Sequence, residues 1–390
     1  MSPRSMPSTV RPDRRIAIER NPSMSRITIV GGGIVGLSVA RAMLKRGHEV
    51  HVLDQGPIPN PRGASVDRHR MIRPHYGDAT GYARMVAPAF AAWDRLWDDL
   101  GAAHFENTGA VAISLEPGDY ADRTLASFRA AGLPHEVVEG AALARLMPHL
   151  DLPDGAFGVL AEPAGPLFAD RIVAELADWL RVKGARLEEN CRVARVDPAR
   201  GLAWRADGSE IAADHLLVAA GAWLPGLMPE AYGEAPAYRQ ALLYLDPPAA
   251  YAEAWRAAPP IVTLGDHTGY SLPDRRGAGL KIGYSAHRRR ARPDVEGFEA
   301  DFAAESRAIL APFAPYFRQA EAYRPLRLQL GYYVLAPERR FRLEAAGQGL
   351  VVTDCDGQMF KFGPLLGERI AGLFAGEENA ADVTRWAAGY

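Results

Sequence analysis

The stretch "ITIVGGGIVGLSVARAMLKRGHEVHVLDQ", Ile27 to Gln55, constrains this chain more than any other. Ile27, Ile29 and Val30 read as a buried parallel strand. Gly31, Gly33 and Gly36 follow with G-x-G-x-x-G spacing. Ile34 to Arg46 carries the apolar period of an amphipathic helix, and Gly47 supplies its stop. Val50, Val52 and Leu53 make a second strand that ends at Asp54. Each glycine has a physical task. Gly31 permits a tight strand-to-helix turn, Gly33 lets a pyrophosphate approach the backbone, and Gly36 lets the helix close on the strand. The helix opens at Ile34 and Val35, where free N–H groups favour negative charge.

Asp54, followed by Gln55, stands where a carboxylate accepts hydrogen bonds from a ribose diol. An acid there favours a 2'-hydroxyl over a 2'-phosphate, which points to FAD or NAD rather than NADP. Bulk properties exclude other classes. The net charge of -2 offers no field for nucleic acid, and the one dense basic run, "HRRRARPD", reads as a solvated loop. Cys191 and Cys355 lie far apart and give neither a disulfide framework nor a zinc spacing, which suits a reducing, cytoplasmic setting. No apolar run is long enough to cross a bilayer. Residues 1–24 are rich in Arg, Ser and Pro and lack the apolar core of a secretory signal. They read as a disordered extension, with Met24 an alternative start.

Nucleotide-domain segments recur later. "ENCRVARVDP" is a short strand around Val193, and "LLVAAGAWLPGL" is an apolar strand closing on Ala220, Gly221 and Trp223. "GLVVTDCDGQMFKFGPLLGERIAGLF" is a late strand, a glycine turn and a helix. The expected fold class is therefore α/β. A Rossmann-like dinucleotide domain (25–83, 151–229 and 346–390) interleaves with an α+β substrate domain (84–150 and 230–345) built on a mixed or antiparallel sheet.

Four further stretches give a specific resemblance. They are "GASVDRHRMIRPHYG", "GYSLPDRRGAGLKIGYS", "GYYVLAPERRF" and "DGQMFKFG". From about Ser25 to Leu373 the sequence resembles the FAD-dependent amine oxidoreductases of the D-amino-acid-oxidase superfamily. Within it, the resemblance is to the monomeric sarcosine oxidase and N-methyltryptophan oxidase group. It implies FAD as cofactor, with Ser65, Gly357, Met359 and Phe360 among its contacts. Arg70 would lie near the flavin, and Arg73 and Lys361 would hold the substrate carboxylate, Lys361 lying near the flavin as well. An arginine fork matches two carboxylate oxygens, and the two arginines would share a face if their segment is helical. Lys281 would stand near flavin N5 and promote reduction of O2, and Tyr270 and Tyr333 would wall the amine. From the residues alone, Arg70 and Arg73 read as surface arginines, Lys281 as a solvent-facing strand lysine, Lys361 as a strand-edge residue and the tyrosines as core.

The sequence departs from the group at three places. Gly331 stands where sarcosine oxidases carry a cysteine bound to the flavin, and Val66 and Ser285 replace two histidines. The expectation is thus a monomeric, non-covalent FAD enzyme that oxidises the C–N bond of an amino acid or N-substituted amino acid, with O2 as acceptor. A D-amino-acid or glycine oxidase, a dehydrogenase with another acceptor, or a flavin-binding electron-transfer subunit are the alternatives.

Overall fold

The computed structural model describes residues 24–390 apart from His267. The expected extension at 1–24 lies outside the described residues except for Met24. Strand β1 (Arg26–Val30) runs parallel to β2 (Glu49–Leu53), and helix α1 (Ile34–Lys45) joins them. A six-stranded sheet grows around this unit in the order 342–346, 349–353, 215–218, 26–30, 49–53 and 186–188. Its inner pairs are parallel, and only the 342–346 edge strand runs antiparallel. Parallel strands need helical cover on both faces, which explains their unbroken apolar character. Val30, Val52 and Leu217 are buried accordingly.

The turn from β1 into α1 shows why glycine is required. Gly31 has φ +116°, and a Cβ there would stand 2.2 Å from the Ala219 carbonyl oxygen. A Cβ on Gly36 would meet the Gly31 carbonyl oxygen at 2.0 Å, so α1 closes on the turn only without side chains.

A second, nine-stranded sheet includes strands 237–246, 280–283, 270–272, 261–264, 110–114, 157–161 and 136–139 in that order, with 324–334 along the outside of 237–246. It is mixed, since 261–264 runs parallel to 110–114 while its other pairs are antiparallel. Two segments cross the expected domain limits. Helix α2 (Thr80–Leu100) buries Trp93 and Leu96 in the core of the first sheet, and strand Phe157–Ala161 joins the second. An amphipathic pattern reveals one apolar face but not which sheet receives it.

A shared face for Arg70 and Arg73 would require a helix. The segment holding Arg70 and Arg73 is not helical: β3 (Arg70–Ile72) is extended and pairs antiparallel with Gly165–Leu167. Side chains three apart on extended backbone point to opposite faces, so the two arginines serve different partners. Among the described residues, no helix is long and apolar enough to cross a membrane.

Candidate active site

The two sheets enclose a cavity of about 650 Å³. Its size lies within the usual range for small-molecule and cofactor sites. At one end it is lined by Gly31, Gly33, Ile34, Val35, Asp54, Gln55 and Ser65. The glycine motif therefore does open onto a ligand-sized space. Ser65 Oγ accepts from the Ile34 N–H at 2.9 Å, and an added Cβ on Gly33 would stand 3.1 Å from that same oxygen. The Asp54 carboxylate accepts from the N–H groups of Gly32 and Gly56 at 2.9 Å each and from Asn60 Nδ2 at 2.8 Å. Backbone amides thus fix the acid in place. Val193, Ala220, Gly221 and Trp223 line the same cavity from later segments, and Gly357, Met359 and Phe360 close it. Gly36 stays behind the lining, as its packing role requires.

These residues fit a dinucleotide. A helix N-terminus, a side-chain-free turn and a fixed carboxylate offer what a pyrophosphate and a ribose need. Two cavity residues escaped sequence reasoning. Arg62 and Arg192 also line the space, and neither has a carboxylate partner among the described residues. Lone arginines in loops carry no local signal.

At the other end stand Arg70, Tyr270, Tyr333, Gly331 and Cys355. Tyr270 fits because residue 283 is glycine, whose added Cβ would stand 2.4 Å from the ring. Burial pushes the Tyr333 phenol up to about 12 and the Tyr270 phenol well above its ordinary value, so both keep their protons at neutral pH. A Cβ added to Gly331 would meet nothing within 4 Å, so the position has room for a larger side chain. Both cysteines touch the cavity, which their spacing did not suggest. Burial pushes the Cys355 thiol up to about 11, leaving it a poor nucleophile. Val66 is in the wall, whereas Ser285 is not.

Lys281 lies behind this wall. It is 1% exposed, and its Nζ donates to Asp67 Oδ2 at 2.7 Å and to the His69 carbonyl. Asp67 also accepts from Arg70 and, at 2.5 Å, from the Tyr244 hydroxyl. It therefore ties Lys281 to Arg70, which does face the cavity. Burial, opposed by Asp67, lowers the Lys281 ammonium to about 8. Burial favours the neutral form of Asp67, but Lys281 and Arg70 outweigh it and hold the carboxyl far below its ordinary value.

The structure brings Arg73 and Lys361 together but not into the cavity wall. Gln358 Oε1 accepts from Arg73 Nη2 at 3.5 Å and from Lys361 Nζ at 3.4 Å. Tyr76 is their common neighbour. Its ring lies 4.6 Å beneath the Arg73 guanidinium, and its hydroxyl accepts from Lys361 Nζ at 3.1 Å. Arg73 Nη1 is buried without a hydrogen bond among the described residues. Burial and then the Arg73 charge hold Lys361 well below its ordinary value. Lys361 opens toward this site from a short 3-10 turn, Met359–Phe362, directly before helix Gly363–Phe374.

Known proteins give this geometry a context. The chain is 25% identical over 200 residues to the peroxisomal sarcosine oxidase of Homo sapiens, a match that spans 51% of each protein. It is 21% identical to the monomeric sarcosine oxidase of Arthrobacter sp. (strain TE1826) over 92% of this chain and 94% of that protein. A modified fructosyl peptide oxidase from Aspergillus nidulans has a similar fold, with TM-score 0.77, 17% identity and 94% of each chain covered. The model of the family described as FAD dependent oxidoreductase (DAO) matches residues 26–373. That span takes in the glycine turn, both sheets and both cation groups, and the chain belongs to this family of FAD-dependent oxidoreductases.

Proposed function

We propose that this protein oxidises the C–N bond of an amino acid or N-methyl amino acid, giving an imine that water hydrolyses, with O2 as acceptor and H2O2 as product. FAD, when bound, supplies the two-electron acceptor for that oxidation. The observation that carries the reading is the pair of buried basic groups, Arg73 and Lys361, bridged by a neutral amide. Buried charges are ordinarily paired; neither group is hydrogen-bonded to a carboxylate among the described residues, Asp356 acting on Lys361 only at longer range, so the pair suits a carboxylate brought by the substrate. The sarcosine oxidases it resembles act, by their names, on an N-methyl amino acid.

The chain's own groups divide the work. Arg73 and Lys361 fix the carboxylate and so orient the alpha carbon. Tyr270 and Tyr333, protonated at neutral pH, wall the amine and offer hydrogen bonds rather than act as bases. Arg70, and Lys281 through Asp67, place positive charge at that end of the cavity, where it favours electron transfer to oxygen. FAD is held without a covalent bond, since Gly331 offers no thiol and Cys355 keeps its proton. The nucleotide segments and the second sheet act as cofactor and substrate domains within one monomer, and the unpaired cysteines suit the cytoplasm.

The test is a panel of primary and N-methyl amino acids added under anaerobic conditions, followed by air. The expected result is bleaching of the yellow flavin by at least one of them, with colour and H2O2 returning on aeration. A panel that leaves the colour unchanged, while hydroxy acids bleach it, would overturn the reading.

A further inference from the structure

Gln358 stands in a position that the proposed reaction does not explain. Its amide oxygen accepts from both Arg73 and Lys361, at 3.5 and 3.4 Å, while its Nε2 donates to Asp356 Oδ2 at 2.8 Å. Asp356 is in turn bound by Arg339 and is buried. The amide is therefore anchored on one side and loosely held on the other. Charge-assisted bonds to a carboxylate run near 2.7–2.9 Å, so contacts this long mark a weak partner for two cations. Arg73 Nη1 has no hydrogen-bond partner among the described residues, so the fork is only half used. The cavity lining includes Gly357, Met359 and Phe360 but neither Arg73 nor Lys361.

We propose that Gln358 is the specificity-determining residue of the carboxylate subsite: its amide oxygen occupies one carboxylate-oxygen position between Arg73 and Lys361, and the substrate must displace it. This rests on the carboxylate reading given above. A neutral amide can hold the place of an anion without neutralising the cations, so the subsite stays filled against water yet open to a stronger acceptor. Displacement requires the terminal amide to turn, which also loosens its Nε2 bond to Asp356. An anion without a second oxygen, or an uncharged amide, gains nothing over Gln358 itself. The device thus selects for carboxylates over isosteric neutral groups.

The experiment is titration of the flavin absorbance of the holoenzyme with benzoate, using benzamide as the uncharged probe. The proteins are the parent, Gln358→Ala, Gln358→Met and Gln358→Glu. Gln358→Glu places a permanent carboxylate between the cations, so benzoate affinity should fall by about a hundredfold or more. Gln358→Ala removes the competitor, so benzoate should bind at least as tightly as in the parent. Benzamide should bind all four proteins alike. Gln358→Met keeps the bulk without the acceptor, and its flavin content and melting temperature separate folding damage from subsite effects. Benzoate binding Gln358→Glu as tightly as the parent would overturn the proposal. Arg73→Lys and Lys361→Met serve as the separating controls. If they weaken benzoate while Gln358→Glu does not, the clamp stands and only the role of Gln358 fails. If neither weakens benzoate, the carboxylate reading fails with it.

Discussion

The two ends of the cavity are built on opposite principles. At the glycine end, the ligand-facing groups are mostly backbone: the turn 31–35 and the amides that hold Asp54. The hydrogen bonds that hold Asp54 and the start of α1 join residues no more than 31 positions apart. At the other end the working groups are charged side chains gathered from remote segments. Lys281 meets Asp67 across 214 residues, and Arg73 meets Gln358 across 285. At the first end the acid Asp54 is already paired within the protein. The second holds buried charge whose partners are incomplete. A site for a large constant cofactor can be fixed by the fold, whereas a site that reads a small substrate keeps unmet charge for it.

The contrast breaks most visibly at Asp67. Its carboxylate balances Lys281 and Arg70 inside the protein, so Asp67→Asn leaves a buried cation uncompensated. The expected cost is about 3–5 kcal/mol of stability, read as a lowered urea midpoint of the apoprotein. A change within about 0.5 kcal/mol would mean that solvent reaches this cluster.

Loss of one cation at the clamp should come next. Arg73→Lys and Lys361→Met should each weaken binding of a simple carboxylate by about ten- to a hundredfold. FAD content should hardly change, because neither residue lines the cavity wall. Arg73→Lys should already be harmful, since a point charge cannot copy the fork. Equal loss of flavin and carboxylate affinity would show that the two ends are not separate.

Lys281 sharpens the comparison through pH. It is faced by Asp67, His69 and Arg70 from one segment, by Tyr244 from the neighbouring strand and by Arg327 beyond it. Its folded ammonium titrates near 8, below the ordinary lysine value of about 10.4. Two results follow. The rate at which air restores the oxidised colour should fall as pH rises through about 8, and Lys281→Met should remove that step while slowing recolouring by about a hundredfold. Between about 8 and the unfolded value, only the unfolded chain retains the proton, so this group makes the fold more stable as pH rises there. A flat pH profile in the parent would leave Lys281 a purely structural partner of Asp67.

The smallest effect concerns attachment. Acid precipitation of the holoenzyme should leave a colourless pellet and yellow supernatant, because no thiol stands at Gly331 and that of Cys355 keeps its proton. A yellow washed pellet, lost in Cys355→Ser, would show that the second cysteine on the cavity had taken over the linkage.

Legibility followed the same division. The strand, turn, helix and acid from Ile27 to Asp54 were readable because their chemistry is local and periodic. Arg70 and Arg73 were found as residue types with the backbone between them left open, since the pairing of Arg70–Ile72 with Gly165–Leu167 is invisible along the chain. Asp67 and Gln358 lay inside stretches already singled out and still gave no signal. Each has one basic partner three residues away, Arg70 or Lys361, but a second more than 200 residues away that the sequence does not bring beside it. Helix α2 was expected in the substrate domain but packs on the first sheet, because an apolar stripe does not name its partner.

The most direct measurement compares one substrate with and without its carboxylate. An N-methyl amino acid that bleaches the flavin anaerobically is set against the N-methylamine of the same side chain, in the parent and in Lys361→Met. The parent should be bleached by the amino acid at far lower concentration than by the amine, with the preference falling about ten- to a hundredfold in the variant. Equal bleaching by both compounds in the parent would contradict the carboxylate reading, because the two buried cations would then read nothing.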